Sequence, residues 1–368
     1  MLIVEPGEDG TAAREYLDSR GLHPRTLETF GIGFAPEGWS AMLDQATRLL
    51  LLAGCRITPR ALKDVIDSAP ASPEAVHDLL ERNVSGHNMA KAAVEMACWD
   101  LSARQQGRPL WQLLGGLPAT AAAGIASGVS IGIQDSLDEL ADRVAIERAA
   151  GYQRIKIKIK RGWDIEAVER VRARFGGIPL MADANAAYTL ADAAHLARLD
   201  PFELMMIEQP LEYDDLADHA RLQEQIRTPI CLDESIHSVR AAEEAIRLKA
   251  CRIVNIKPGR VGGHRESIRL HDLCQAHGIP VWHGGMLESG LGRAHNIHLS
   301  TLSNFTLPGD VAASRRYFVP DLIEPPIEVS PRGTIAVPDG PGIGVAHVQA
   351  RIDAATERLA VLEPAAAR

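Results

Sequence analysis

Lys158, Asp183, Glu208, Asp233 and Lys257 recur at intervals of 25, 25, 25 and 24 residues. Each lies in or just after a short apolar run: "IKIKIK", "IPLMADAN", "LMMIEQP", "TPICLDES" and "CRIVNIKPG". An acid just past a strand commonly caps the following helix, and any one of these residues alone reads that way. Five in phase, on runs otherwise built from Ile, Met, Val and Leu, point instead to one shared site. Three crowded carboxylates raise one another's pKa, and a hard divalent cation relieves that repulsion. An all-oxygen set, with no His or Cys in phase, favours Mg²⁺ (or Mn²⁺) over zinc. Three protein ligands leave positions open for water or a substrate carboxylate. Lys158 and Lys257 flank the acids in sequence order. An amine beside a metal and a second cation has a lowered pKa and serves as a base near neutral pH. Two such bases about a bound carboxylate suit removal of the proton α to it, with the metal and a lysine stabilising the enediolate.

These residues need elements that bring them together. In "IKIKIK", residues 155–160, isoleucine and lysine alternate with the period of a strand. Ile155, Ile157 and Ile159 face a helical layer, while the lysine face points to the acids that offset its charge. Lys160 falls past the rim, in solvent. From about residue 120 such runs alternate with amphipathic stretches, among them "DIEAVERVRARFG", "LADAAHLARLD" and "SVRAAEEAIRLKA". Alternating strands and helices make βα units and a parallel sheet. Seven in series favour a closed barrel, whose strand ends converge on one mouth.

The bulk numbers narrow the function classes. The chain has 368 residues, within reach of a barrel plus a smaller domain, and a net charge of −9. That charge argues against a general nucleic-acid or anionic-membrane surface. Aromatics make up 4%, too few for base-stacking platforms. The five cysteines are odd in number and lack CxxC spacing, which fits a reducing cytoplasm better than a disulfide framework. The acidic start "MLIVEPGEDG" does not read as a signal peptide, and "LLLLAG" is too short to span a bilayer. Other signals are weaker. "GRVGG" and "GGMLESGLG" read as tight turns rather than phosphate loops. His283 reads as a packed residue, Asp310 in "LPGDVAAS" as a turn residue, and "RRYF" either as placing Arg315 or Arg316 near an anionic substrate or as a surface arginine pair.

With these residues assembled, the chain resembles the enolase superfamily in its muconate-lactonizing branch. Within it, the likeness is to the o-succinylbenzoate synthase / N-succinylamino acid racemase family. The matching motifs are "GHNMAKAAVEMACWDL", "GYQRIKIKI", "ADANAAYTL", "IEQPL", "TPICLDES", "VNIKPGRVGG", "GIPVWHGGMLESGLGRAHN" and "TLPGDVAAS". They run in order from about residue 72 to 345. The resemblance implies an α/β fold, a (β/α)7β TIM-like barrel with an α+β capping domain built from both chain ends. Expected boundaries are 1–120 for the N-terminal cap, 121–315 for the barrel and 316–368 for the return to the cap. It implies Mg²⁺ on Asp183, Glu208 and Asp233. Lys158 is then the general base and acid, and Lys257 the enolate stabiliser or opposite-face base. Lys156 is then a supporting group near the metal-bound carboxylate, and Ser130, in "GVSIG", matches a position near the substrate. Asn185, Glu234, Gly285, Met286, Glu288 and Ser289, within the matching motifs, are candidate supporting or substrate-binding residues. The implied reaction is syn-dehydration of a cyclohexadiene carboxylate to o-succinylbenzoate, a step of menaquinone synthesis, with N-succinylamino acid racemisation as a second activity. A small carboxylate is the expected partner, and a homo-oligomer the expected assembly.

Residues 1–65 depart from that pattern. The family begins with antiparallel strands and a substrate-closing loop. Here "TAAREYLDSRGLHPRTLETFGIGFAPEGW" (11–39) reads as two short helices stopped at Gly21 and Gly31. This stretch resembles the linker after the zinc module in bacterial DNA primases, but it lacks zinc ligands and implies no priming. Without a closing loop the mouth stays wetter, which predicts reduced or altered activity. Two other readings share the core residues. One is a dipeptide epimerase or muconate-type cycloisomerase, separable by testing dipeptides against N-succinyl amino acids. The other is a lid-deficient, non-catalytic carboxylate-binding barrel, which would exchange no α-proton in D₂O.

Overall fold

The structure is a computed structural model and describes residues 72–355. The expected helices at 11–39 and the closing loop lie outside the described residues. Four helices come first: α1 (Pro73–Asn83), α2 (Asn88–Gln105), α3 (Leu110–Leu114) and α4 (Pro118–Ala123). The βα series follows. It runs β1 (Ile125–Ala126), β2 (Gly128–Ile131), α5 (Leu137–Ala149), β3 (Arg154–Lys158), α6 (Ile165–Phe175), β4 (Leu180–Asp183) and α7 (Ala193–Leu196). It continues with β5 (Ile207–Glu208), α8 (Leu216–Gln225), β6 (Ile230–Leu232), α9 (Val239–Leu248) and β7 (Ile253–Ile256). Then come α10 (Pro258–Val261), α11 (His264–Ala276), β8 (Val281–His283) and α12 (Gly290–Leu299). Short strands β9 (Ile323–Glu324), β10 (Thr334–Ile335) and β11 (Ala346–His347) and helix α13 (Gln349–Ala355) complete the described chain.

Strands β2 to β8 form one parallel sheet in sequence order. Their starts and stops follow local chemistry. Side chains of Ser136, Asp215 and Ser238 accept amide hydrogen bonds at the first turns of α5, α8 and α9. The sheet closes through an extended segment between β8 and β2. The Val281 amide donates to the Asn304 carbonyl (3.2 Å), and the Asp310 amide to the His283 carbonyl (2.8 Å). On its other edge the Gly128 amide donates to the Gly309 carbonyl (2.7 Å). Residues 304–310 thus serve as the eighth strand, giving the (β/α)7β order.

Period two sorts each strand's side chains. Ile155, Ile157 and Ile159 are buried in the main core against the helices, each contributing roughly 1.5–3 kcal/mol by burial. The inner face carries a second apolar cluster: Met181, Met206, Cys231, Ile253 and Trp282. This plug fills the barrel interior beneath the ionisable residues.

Two expected elements come out differently. "GIASGVSIG" is two strands, because Ser127 breaks it: its hydroxyl donates to the Val311 carbonyl (2.7 Å) and its amide to the Gly333 carbonyl (2.8 Å). β1 then pairs antiparallel with β10. "LADAAHLARLD" is one α turn between 3₁₀ segments at Leu190–Asp192 and Ala197–Phe202. A Thr189–Asp192 capping box sets the first segment, and Pro201 falls within the second. No helix among the described residues is long and apolar enough to cross a membrane.

Candidate active site

Register brings the phased residues together. Lys158 lies opposite Asp183, and Asp183 opposite Glu208, at the ends of β3, β4 and β5. Asp233 and Lys257 follow β6 and β7 directly. Lys158, Asp183, Glu208 and Asp233 are buried, Lys257 is half-buried, and Lys160 is exposed as expected.

The outer acids each hold an outer amine. Lys158 Nζ donates to Asp183 Oδ2 and to Asn185 Oδ1 (2.6 Å). Lys257 Nζ donates to Asp233 Oδ2 at 2.5 Å. Glu208 sits between them. It accepts from Lys156 Nζ at 2.9 Å and from Asn255 Nδ2 at 2.6 Å. Lys156 also lies 3.2 Å from Asp183 and 2.7 Å from Asp310. Asn185 Nδ2 donates to Glu234 Oε1 (3.0 Å), tying the ends of β4 and β6. Asn185, Ala186 and Gln209 adopt positive φ of 42°, 61° and 39° just past β4 and β5. Such strain persists where the surroundings over-determine the backbone, often at functional sites.

Burial dominates the electrostatics. It pushes the Glu208 pKa up to about 8, with the Asp183 charge adding to it. Burial, and then Asp233, raises Glu234 as well, and Glu234 Oε2 is buried without a hydrogen-bond partner. For Asp183 and Asp233 the neighbouring amines outweigh burial and hold the carboxyls below the usual range. The expected lowering of a lysine pKa is tied to a bound ion; the acids by themselves raise Lys257. Burial would lower it, but Asp233, reinforced by Glu208 and Glu234, outweighs burial and the Arg260 charge. Lys156 is likewise raised, its three carboxylate neighbours overcoming burial.

Among the described residues, no three acidic, His or Cys side chains converge as a finished metal cage. Amines crowd the same oxygens: Lys156 and Lys158 both reach Asp183, and Lys257 reaches Asp233. The donor set nonetheless fits a hard divalent cation. It offers buried carboxylate oxygens on adjacent strands, a Glu208 pushed toward protonation, and the unpartnered Glu234 oxygen.

The remaining predicted residues divide. Ser130, half-buried on β2, lies opposite Lys156 in register. Gly285 approaches the Asp310 carbonyl so closely that a Cβ would lie 2.2 Å from it. Met286 reaches toward Gly259, in the turn after Lys257. Glu288 is engaged within its own loop: it accepts from the Met286 amide (2.8 Å) and Asn296 Nδ2 (2.9 Å) and pairs with buried Arg293 (3.1 Å). Ser289 stands before α12 and makes no capping bond with its side chain. His283 packs against Phe305 and contacts the Gly284 carbonyl. Arg315 pairs with Glu328, and Arg316 with Glu147.

Asp310 overturns its reading as a turn residue. It is buried, accepts from both terminal nitrogens of Arg154 at 3.1 Å, and faces Lys156. The signal was its phase, 53 residues (about two units) past Lys257. Arg260 was also missed: it binds Asp233 Oδ1 and donates to the Ile236 carbonyl (2.6 Å). Gln209, fully buried, accepts from the Asp233 and Ser235 amides (3.0 and 3.2 Å) and so joins the ends of β5 and β6. Their types alone, in "KPGRVGG" and "IEQPL", carried no phase.

Residues 139–350 match the family described as "Enolase C-terminal domain-like". Residues 57–115 match "Mandelate racemase / muconate lactonizing enzyme, N-terminal domain". The chain belongs to the enolase superfamily. Enolase-superfamily proteins of this kind use a divalent metal. The chain is 58% identical over 258 residues to the o-succinylbenzoate synthase of Geobacillus kaustophilus, covering 70% of this chain and 68% of that one. It is 54% identical over 272 residues to the N-succinylamino acid racemase of Amycolatopsis sp, covering 74% and 72%. A solved enolase-superfamily member from Enterococcus faecalis superposes with a TM-score of 0.72 at 44% identity, covering 77% of this chain and 75% of that one. Residues 6–50 match "DNA primase catalytic core, N-terminal domain", in line with the resemblance at 11–39.

Proposed function

We propose that this enolase-superfamily chain is an o-succinylbenzoate synthase with N-succinylamino acid racemase activity. The named relatives support the substrates. One observation carries the chemistry: Lys158 and Lys257 sit at the two ends of the acid arc, each against an outer acid. Asp183, Glu208 and Asp233 would hold the divalent ion, Mg²⁺ by its match to all-oxygen donors, with Mn²⁺ as the substitute. When bound, the ion draws charge from the substrate carboxylate and acidifies the carbon α to it.

The protein's own groups do the rest. In dehydration, Lys158, as a free amine relaxed from Asp183, takes the α-proton. The resulting ammonium then protonates the leaving hydroxyl on the same face, and water departs as the ring becomes aromatic. Lys257, as an ammonium beside Asp233, faces the charge that develops on the substrate. In racemisation, Lys158 and Lys257 exchange the α-proton from opposite faces. Lys156, cationic between three carboxylates, orients the substrate carboxylate, with Ser130 beside it. The plug below, topped by Trp282, keeps water from the amines' inner side.

The test is solvent-deuterium incorporation at the α-carbon of N-succinyl amino acids, alongside dehydration of the cyclohexadiene substrate. Both should require Mg²⁺ or Mn²⁺ and stop with chelator. Exchange into dipeptides alone would reassign the chain as an epimerase. No exchange and no dehydration with any divalent ion would leave a carboxylate-binding barrel.

A further inference from the structure

Helix α2 touches the turn after β7 at two points. Asn88 Nδ2 donates to the Arg260 carbonyl (2.9 Å) and the His237 carbonyl (3.1 Å). Seven residues on, two helical turns along the same face, Glu95 meets the start of α11. Its Oε2 accepts from the His264 amide (2.7 Å), and its Oε1 from the Arg265 amide (2.8 Å) and the Trp99 indole (2.7 Å). Glu95 is fully buried.

The chain between these contacts has little freedom. The Arg260 and Val261 amides donate to the Lys257 carbonyl (3.0 and 3.2 Å). The Gly262 and Gly263 amides donate to the Pro258 carbonyl (3.0 and 2.9 Å). Gly263 has φ +125°, and a Cβ there would lie 2.2 Å from Glu95 Oε2, so the close approach requires glycine. Residues 258–263 are therefore one stiff piece, with Lys257 at its head and the Glu95 bonds at its tail. Arg260 is carried on the same piece and binds Asp233. Glu95 also caps α11, but the cap comes from another helix, so it fixes where the turn sits and not only whether α11 forms.

We propose that Glu95, aided by Asn88, is a positioning residue for Lys257, holding the 258–263 turn so that the Lys257 amine and the Arg260 guanidinium both reach Asp233. The effect rests on the two-base reading above. Lys158 is held separately, from β4, by Asp183 and Asn185.

Glu95→Gln keeps the side-chain size but turns one acceptor into a donor aimed at a backbone amide. With Mg²⁺, deuterium incorporation is read separately for the two enantiomers of an N-succinyl amino acid. Lys257→Ala identifies the enantiomer that depends on Lys257. That enantiomer should lose about tenfold or more in kcat in Glu95→Gln, with KM little changed, because displacements near 1 Å carry penalties up to about a hundredfold. The other should change less than about twofold. Equal losses for both would overturn the proposal. If Glu95→Gln does not fold, Asn88→Ala should move the ratio in the same direction by less, and an unchanged ratio would overturn it.

If the wild-type protein exchanges neither enantiomer, the two-base reading fails on its own. Backbone hydrogen exchange on the intact chain still decides the positioning claim. Peptides spanning 258–266 should lose protection in the variant while those spanning 155–160 do not, and unchanged protection at 258–266 sinks the claim.

Discussion

The two flanks of the mouth hold the same kind of amine in different ways. On one side, among the described residues, Lys158 is fixed by the neighbouring strand end, through Asp183 and Asn185. On the other, Lys257 shares Asp233 with Arg260, and its turn is gripped by helix α2 through Asn88 and Glu95. One flank belongs to the barrel, while the other depends on the barrel and the packed helix together. Changes in α2 should therefore act on one hand of the substrate, and changes beneath the centre on both.

The largest effect comes from the amines themselves. Lys158→Ala and Lys257→Ala should each silence α-deuterium exchange for one enantiomer, by about a hundredfold or more, while dehydration is lost with Lys158→Ala. If either substitution stops both enantiomers equally, the two flanks are not separate bases and the comparison breaks.

Beneath the centre, Asp310 is the anion that Lys156 and Arg154 share. Burial would raise its pKa, but those two cations outweigh it and hold the carboxyl below its usual range. Asp310→Asn leaves two buried cations short of a counter-charge. Breaking such a set costs about 3–5 kcal/mol, measurable as a shift of the denaturant midpoint. Exchange of both enantiomers should fall alike, because Lys156 serves neither flank alone. A variant that lowers only one would place Asp310 on a flank.

Glu95 gives the flank with the helix contact its own pH signature. Burial pushes its pKa up to about 7 from an ordinary 4.5, against the pull of the Arg265, His264 and Trp99 hydrogen bonds. A folded pKa above the unfolded one means that the native state binds the extra proton. Stability from this group is therefore present below pH 4.5 and is lost as pH rises through 7. The difference amounts to about 3 kcal/mol. The groups nearby do not mimic the step: burial holds the His264 imidazole neutral and the Cys98 thiol protonated through this range. Unfolding free energies of wild type and Glu95→Gln, compared at pH 4 and 8, should diverge by that amount, with the wild type losing ground at pH 8. Parallel pH curves would remove Glu95 as the source.

Much of the flank geometry was legible in sequence because inward positions recur once per βα unit and charges are rare on apolar strands. Period two in "RIKIKIK" even places Arg154 on the lysine face. The eighth strand was not legible. "NFTLPGD" has no alternation and contains Pro308 and Gly309; it is a strand only because β8 and β2 supply partners on both edges. Asp310 thus looked like a turn residue. His283 packs as read, and Trp282 takes the inward place beside Lys156, 5.1 Å from its ring. Glu288 sits in the right loop, but Arg293, ten residues past His283 on α12, turns it back into the protein. Contacts between distant elements, such as Glu95 with α11, carry no local signature at all. Spacing likewise counts the acids but does not say which oxygen an amine will touch.

The finest distinction between the flanks is tested at Arg260. Its guanidinium makes three directed contacts: Nη1 to Asp233 Oδ1, Nε to the Ile236 carbonyl and Nη2 to the Asn255 carbonyl. Arg260→Lys keeps the positive charge near Asp233, so the electrostatics of the flank change little. An ammonium on a flexible stem cannot reproduce the planar fork, so the links to the ends of β6 and β7 are lost. If charge alone matters, both enantiomers exchange at wild-type rates. If the fork fixes where Asp233 points, exchange on the Lys257 side slows by about tenfold, some 1.4 kcal/mol, while the Lys158 side is unchanged. Combining Arg260→Lys with Glu95→Gln should then give less than the product of the two losses, because both act through the same 258–263 turn. Full multiplicativity would mean that the helix contact and the fork support Lys257 independently.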